Sequence, residues 1–128
     1  MSTITTTRAG AAAIAAVAAI HLLLAPEYFG EKPYIGLLFL AGAAAGGLVA
    51  LRLWQRSDRQ AWLLGSLISA GMGAGFILSR TVGLPGFHES EWELSGMVSL
   101  LFEAGFLALA GLALGAGRES LLRSRVTA

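Results

Sequence analysis

The stretch Leu94 to Ala116, LSGMVSLLFEAGFLALAGLALGA, decides the fold class. A helix needs about 20 mainly apolar residues to cross the hydrocarbon core of a bilayer. This stretch exceeds that length and carries a single ionisable residue, Glu103. Its length and composition predict a transmembrane helix.

Three further apolar stretches, at about 9–25, 34–54 and 62–79, meet the same criterion. The whole chain of 128 residues is 55% hydrophobic and 13% charged, which is too apolar for a soluble domain of this size. Arg8 and the apolar run after it resemble a signal peptide, but no small-x-small cleavage site precedes Pro26, so we expect the run to be retained. We therefore predict an all-α fold: one domain over residues 1–128, a four-helix transmembrane bundle made of two antiparallel hairpins.

Arginine and lysine are distributed unequally between the two sides of the predicted bundle. Basic residues near helix ends are retained in the cytoplasm. One side carries seven of them, and the other carries only Lys32 and Arg80. The seven are Arg8, Arg52, Arg56, Arg59, Arg118, Arg123 and Arg125. The count predicts a multi-pass membrane protein with both termini in the cytoplasm.

Composition excludes several classes of function. The net charge of +1 gives no surface that could neutralise a run of phosphates, so nucleic acid is not an expected partner. The chain has no cysteine, which removes disulfides, thiolate metal sites and cysteine nucleophiles. It also lacks a phosphate-binding loop and a hydrolase or zinc-protease motif, so nothing in the sequence supports an enzyme. The lipid bilayer is the partner that the sequence does predict.

Glycines recur at four-residue spacing in three of the four predicted helices. Small residues let helix backbones approach closely where lipid supplies no hydrophobic force between helices. We expect these pairs to pack the bundle internally; the alternative is a face for a homo-oligomer or a larger membrane complex. The pairs are Gly42 with Gly46, Gly71 with Gly75, and Gly111 with Gly115.

Three ionisable residues in or next to the spans are candidates for a buried site: His21, Arg80 and Glu103. Such residues cost about 2.5 to 3.5 kcal/mol at a helix centre on insertion scales, so each calls for a reason. Ser99 precedes Glu103 by four residues and shares its helix face. Since all three ionisable residues lie in the predicted outer half, they could form one buried polar cluster that binds a ligand.

Each of these residues also has a purely structural interpretation. Glu103 could hold helix four in register, protonated or paired with Arg80 or His21. His21 could be a histidine whose hydrogen bonds are satisfied near the interface. Arg80 could be an anchor that extends to the lipid head groups.

The segment from Gly83 to Glu93 combines a turn with oxygen and nitrogen ligands that suit divalent cations. Its candidate ligands, joined by one residue of helix one and one of the loop that follows it, are His21, Glu27, His88, Glu89 and Glu91. The spacing matches no established metal motif, and a solvated acidic loop is the simpler interpretation. In that case Ser90 caps helix four, with Glu93 completing a capping box. Haem is disfavoured as a cofactor because only His21 lies within a span.

Parts of the sequence resemble a group of small four-helix membrane proteins from high-GC Gram-positive bacteria, of actinobacterial type. The matching parts are His21 to Phe29 (HLLLAPEYF), Pro33 to Gly36 (PYIG), Ser79 to Phe87 (SRTVGLPGF), Trp92 and Glu103. The group has no assigned activity. The resemblance therefore implies the four-helix topology and marks His21, Glu27, Arg80 and Glu103 as parts of a shared pattern, without giving them a role.

Three functional hypotheses follow from the sequence. The leading one is a non-enzymatic protein whose outer polar cluster of His21, Arg80 and Glu103 binds, or conducts, a small cation or proton. The second is a structural or accessory subunit that docks onto a larger complex through its glycine faces. The third and weakest is a redox subunit that holds haem or quinone.

Overall fold

The computed structural model describes residues 2–56 and 58–127, and these form four α-helices. All four are long and apolar enough to cross a bilayer, which confirms the predicted all-α class and its four span-capable helices. Large apolar side chains such as Leu23 and Leu101 are exposed on the outside of the bundle, as expected of a surface that faces lipid. The side chain of Arg118 lies outside the described residues. The helices are α1 (Thr3–Glu31), α2 (Pro33–Gln55), α3 (Arg59–Arg80) and α4 (Leu94–Thr127).

Helix α1 does not end at Ala25, as the sequence pattern predicted, but continues through Pro26 to Glu31. Proline lacks the N–H that would bond to the carbonyl four residues earlier, so an interior proline weakens a helix. Here the following turn is held by packing, since Tyr28 is buried against aromatic residues of α2 and of the 81–93 loop. Lys32 alone separates α1 from α2, and its N–H bonds to the Tyr28 carbonyl at 2.8 Å.

Helices α1 and α2 are in contact along most of their length. Near one end of the bundle the rings of His21 and Phe39 lie 4.7 Å apart. Near the other end the Arg8 guanidinium lies 4.5 Å from the Trp54 ring centroid. We call the end of the bundle at which residues 27–34 and 81–93 meet the acidic end. The opposite end, near Arg8 and Trp54, is the basic end.

The apolar core lies toward the basic end. Trp62 and Phe106 are its largest buried side chains, with ring centroids 5.2 Å apart. Gly65 lies where a Cβ atom would approach Phe106 Cε1 to 2.7 Å and Val49 Cγ1 to 3.0 Å. The absence of a side chain at Gly65 therefore allows α3 to pack against α2 and α4.

The predicted glycine pairs behave differently from one another. Gly46 contacts α1, where its added Cβ would lie 3.4 Å from the Ala18 Cβ, and Gly42 lies against the Met72 side chain. The pairs of α3 and α4 do not follow the internal-packing prediction, because a Cβ at any of these four positions meets no atom of the described chain within 4 Å. The four are Gly71, Gly75, Gly111 and Gly115. The close approaches are instead made by isolated glycines such as Gly65 and Gly96, which the four-residue spacing does not mark.

The 81–93 loop folds back over the acidic end. Gly83 and Gly86 adopt φ angles of +91° and +63°, which only glycine adopts without strain. Leu84 and Phe87 exchange backbone hydrogen bonds across the turn that contains Gly86. Helix α4 begins at Leu94, so the predicted Ser90 cap and its capping box are not formed. Glu93 occupies the position before the helix, and its carboxylate is used by Arg80 instead.

Candidate functional site

A cavity of about 490 Å³ lies between the helices and extends from the acidic end toward the middle of the bundle. Apolar side chains line most of it. The ionisable and hydroxyl side chains that line it are His21, Tyr28, Ser79, Arg80, Glu93, Ser99 and Glu103. The cavity thus brings together His21, Arg80, Glu103 and Ser99, the four residues that the sequence marked as a polar cluster.

Arg80 lies at the last position of α3 and is buried, with only 3% of its side chain exposed. Its Nη2 lies 2.9 Å from the Glu93 carboxylate and 3.0 Å from the Tyr28 hydroxyl. The Tyr28 hydroxyl also donates to Glu93, which closes a three-residue network. A guanidinium with several donors in fixed geometry suits such a network, and the ion pair neutralises its charge.

Two further hydrogen bonds orient the same guanidinium. Nε donates to the Glu91 carbonyl at 3.1 Å, and Nη1 donates to the Ser79 hydroxyl at 2.7 Å. The Phe76 ring centroid lies 4.3 Å from the guanidinium carbon, a cation–π distance. Of the five N–H donors of Arg80, four are thus used within the described residues, and one on Nη1 is left over.

Glu103 lies nine residues into α4, roughly 13 Å from its start at 1.5 Å per residue, and is 3% exposed. Its Oε2 accepts a hydrogen bond of 2.8 Å from the Ser99 hydroxyl. Its Oε1 makes no hydrogen bond or ion pair with the rest of the described chain. The carboxyl group therefore lines the cavity with unfilled hydrogen-bonding capacity.

His21 is 8% exposed and is held on α1 by its own helix. Its Nδ1 lies 2.9 Å from the Val17 carbonyl, which can only accept, so Nδ1 must carry the proton. In a neutral imidazole this leaves Nε2 as a hydrogen-bond acceptor. Nε2 has no partner among residues 2–56 and 58–127, and His21 lines the cavity.

The cavity opens sideways between α2 and α3. Its exposed lining residues include Leu38 of α2, and Leu67 and Gly71 of α3. These lie about 8 to 20 Å from the acidic end of their helices at 1.5 Å per residue, which is the depth of lipid chains in a spanned bilayer. Gly71 and Gly75 widen the opening because neither carries a side chain and neither meets another helix.

The structure separates the predicted polar cluster into two parts. Arg80 pairs with Glu93 and Tyr28, not with His21 or Glu103. His21 and Glu103 remain as separate groups on the cavity wall, held by Val17 and Ser99. The structural interpretations that paired Glu103 with Arg80 or His21 therefore find no support.

The metal-binding loop also finds no support. Among the described residues, no group of three or more histidine, aspartate or glutamate side chains could hold a metal ion. His88 Nε2 lies 2.9 Å from the Thr81 carbonyl, and Glu89 bonds to the N–H of Glu91. Glu27 and Glu91 are exposed, and His21 lies within the cavity.

Three residues of the site were assigned other roles from the sequence, or none. Glu93 was assigned to a capping box, while Tyr28 and Phe39, which packs on both His21 and Tyr28, were given no role. Helical spacing could have indicated Tyr28, because His21, Leu24 and Tyr28 lie on one face of a continuous helix. The predicted first helix ended before Pro26 and therefore did not include Tyr28.

Comparison of the chain with protein-family models, with curated proteins and with solved structures finds no match. The resemblance to small actinobacterial membrane proteins therefore rests on the quoted residues alone, and function has to be argued from the site.

Proposed function

We propose that this chain is a multi-pass membrane protein that binds an amphipathic small molecule from the bilayer. The single observation that carries the proposal is the cavity, which joins polar groups with unfilled hydrogen bonds to an opening at lipid depth. Small-molecule sites are typically concave, mostly apolar and about 300 to 1,000 Å³ in volume, with a few convergent polar groups. The proposed ligand places its polar head near His21 and Glu103 and its apolar part between α2 and α3.

The same geometry disfavours the hypothesis that a small cation binds here. A metal ion would share the cavity with the Arg80 guanidinium, and the carboxylate nearest that charge is already paired with it. Glu103 and His21 alone offer too few ligands for a divalent ion, which takes four or more. Proton exchange at Glu103 stays compatible with the proposal, since a bound ligand could supply or accept the proton.

The test is a search for a bound small molecule in protein purified in mild detergent. Organic extraction and mass spectrometry should find close to one amphipathic molecule per chain. Gly71→Leu should lose it, because the leucine side chain fills the opening. Gly111→Leu is the matched control, since both glycines lie in open space but Gly111 does not line the cavity. Equal ligand content in the two variants, or none in folded wild type, would overturn the proposal.

We further propose that both termini face the cytoplasm of a bacterium, with the acidic end outside and the helices arranged as two antiparallel hairpins. The distribution of arginine supports this orientation. Because the chain has no cysteine, single cysteines can be introduced without background. Ser90→Cys and Gln55→Cys lie at exposed positions of the acidic and basic ends. In intact cells an impermeant maleimide should label only Ser90→Cys, and the reverse pattern would invert the topology.

A second candidate function is that of an accessory subunit or homo-oligomer. The observation that favours it is the exposed position of Gly111 and Gly115 on α4, where no other part of the described chain covers them. Glycines at this spacing commonly form helix–helix contacts in membranes. If this face binds a second chain, Gly111→Leu should reduce the oligomer or complex without changing the ligand content, so the two functions can be separated.

A further inference from the structure

We infer that the head of the bound molecule is an uncharged planar ring bearing oxygen atoms, attached to an apolar tail, which is the chemistry of an isoprenoid quinone. This inference rests on the proposed function and specifies its ligand class. It is drawn from the charge, the hydrogen-bonding groups and the aromatic walls of the cavity.

The charge of the cavity disfavours an anionic head. Arg80 is the cation on the wall, and Glu93 at 2.9 Å already neutralises it. Four of its five N–H donors are used by Glu93, Tyr28, Ser79 and the Glu91 carbonyl. A phosphate or carboxylate would find only the fifth donor, on Nη1, and Glu103 would repel it when ionised. An uncharged head does not meet this repulsion.

The free hydrogen-bonding groups suit a ring that carries carbonyl or hydroxyl oxygens. His21 Nε2 can accept a hydrogen bond from a ring hydroxyl. Glu103 can donate to a ring carbonyl when protonated and accept from a hydroxyl when ionised. The quinone form can therefore bond to protonated Glu103, and the quinol form can bond to both side chains.

Aromatic side chains form the walls near these polar groups. The Phe39 ring lies 4.7 Å from the His21 ring and 4.5 Å from the Tyr28 ring, and Tyr28 lies 5.9 Å from Phe87. Separations of 4.5 to 7 Å are those at which aromatic rings attract one another. Such walls favour a flat ring over the flexible head group of a phospholipid.

The opening between α2 and α3 gives the apolar tail of the ligand a path out of the cavity. Met72 borders the cavity and its flexible side chain contacts Gly42 across the gap between α3 and α2. Methionine rotamers adapt to irregular apolar surfaces at low cost. An isoprenoid chain can thus leave the cavity between α2 and α3, past Met72 and Gly71, and continue among the lipid chains.

The test measures binding of three defined probes that share a geranyl tail: a geranyl-substituted naphthoquinone, geraniol and geranyl phosphate. Quenching of tryptophan fluorescence reports the quinone, because Trp92 packs on Phe76 of the cavity wall with ring centroids 5.5 Å apart. Trp92→Phe shows which part of the signal arises at the site. Competition against the bound quinone reports the two colourless probes.

The quinone should bind at least about tenfold more tightly than geraniol or geranyl phosphate, the ratio expected from packing of its ring on the aromatic walls. Glu103→Leu should weaken quinone binding by about the same factor, His21→Phe should weaken binding of the same probe after reduction to the quinol, and Gly111→Leu should leave both unchanged. Tighter binding of geranyl phosphate would overturn the inference while the proposed function stands. If none of the probes binds and the purified protein carries no amphipathic molecule, both fail.

Discussion

Arg80, the last residue of α3, forms its ion pair with Glu93 at 2.9 Å, immediately before α4 begins, and not with the more deeply buried Glu103. The pair therefore joins the two ends of the 81–93 loop. It also leaves Glu103 without a cationic partner among the described residues. The first carboxylate thus has a structural partner, and the second is available to a ligand.

The first prediction concerns this ion pair. Arg80→Gln should destabilise the protein by about 3 to 5 kcal/mol at most, because it leaves the Glu93 carboxylate partly buried and without its cation. Glu93 is 25% exposed, so water can reduce that cost. The double variant Arg80→Gln with Glu93→Gln should be more stable than the sum of the two single changes predicts. Chemical unfolding in detergent measures the free energies of unfolding of the wild type, the two single variants and the double variant, which together form a double-mutant cycle.

The matched control for the cycle is Glu91→Gln. Glu91 is an exposed carboxylate two residues from Glu93, and Arg80 uses only its backbone carbonyl. The change should alter the free energy of unfolding by less than about 0.5 kcal/mol. Additive effects of Arg80→Gln and Glu93→Gln, or an equal loss in Glu91→Gln, would contradict the pairing.

The second prediction concerns the Tyr28 hydroxyl, which contacts both members of the pair. Tyr28→Phe keeps the ring packing on Phe39 and Phe87 and removes only the hydroxyl. Hydrogen bonds to charged groups contribute about 1.5 to 3 kcal/mol, so we expect a loss in that range. Tyr34→Phe is the control, since its more exposed hydroxyl donates to the Pro85 carbonyl alone and should cost less. Equal melting temperatures for the two variants would exclude a special role for Tyr28.

The sequence predicted the number and type of the helices because apolar length is a local property. It also marked His21, Arg80, Ser99 and Glu103, which all line the cavity, because polar residues inside a span are conspicuous. It could not predict which carboxylate pairs with Arg80. That choice depends on the rotation of α4 and on a loop turn at Gly83 and Gly86, and neither follows from hydropathy.

The packing of the glycines is a second feature that the sequence pattern did not predict. Four-residue spacing marked Gly71 and Gly111, yet an added Cβ at either position meets nothing within 4 Å in the part of the chain that the structure describes. Gly65 has no such partner on its helix face, and it is the glycine against which Phe106 packs. A spacing rule reports which residues share a face, whereas close packing depends on which face meets a large side chain of another helix.

The third prediction compares a glycine that packs against a large side chain with a glycine that lies in open space. Gly65→Ala should destabilise the protein by about 1 to 3 kcal/mol, because the added methyl group would overlap Phe106 and Val49 in the core. Gly105→Ala, where the added Cβ meets nothing, should instead stabilise α4 by about 0.5 to 1 kcal/mol through the higher helix propensity of alanine. Thermal unfolding of both variants in the same detergent checks the sign of each effect. A loss at Gly105 or a gain at Gly65 would show that the core packs differently.

The last prediction separates a structural role of Glu103 from a ligand-binding one. A carboxyl group at this depth that has only Ser99 as a partner is costly to bury, and replacing such a group with an apolar residue of similar size is often neutral or stabilising. Glu103→Leu should therefore keep or raise the melting temperature while the protein loses its bound molecule. Phe106→Ala, one turn further along α4 in the apolar core, should do the opposite: it should lower the free energy of unfolding by about 3 to 5 kcal/mol and retain the ligand for as long as the chain is folded. A clear loss of stability in Glu103→Leu, with ligand content unchanged, would make Glu103 a structural carboxylate and remove it from the site.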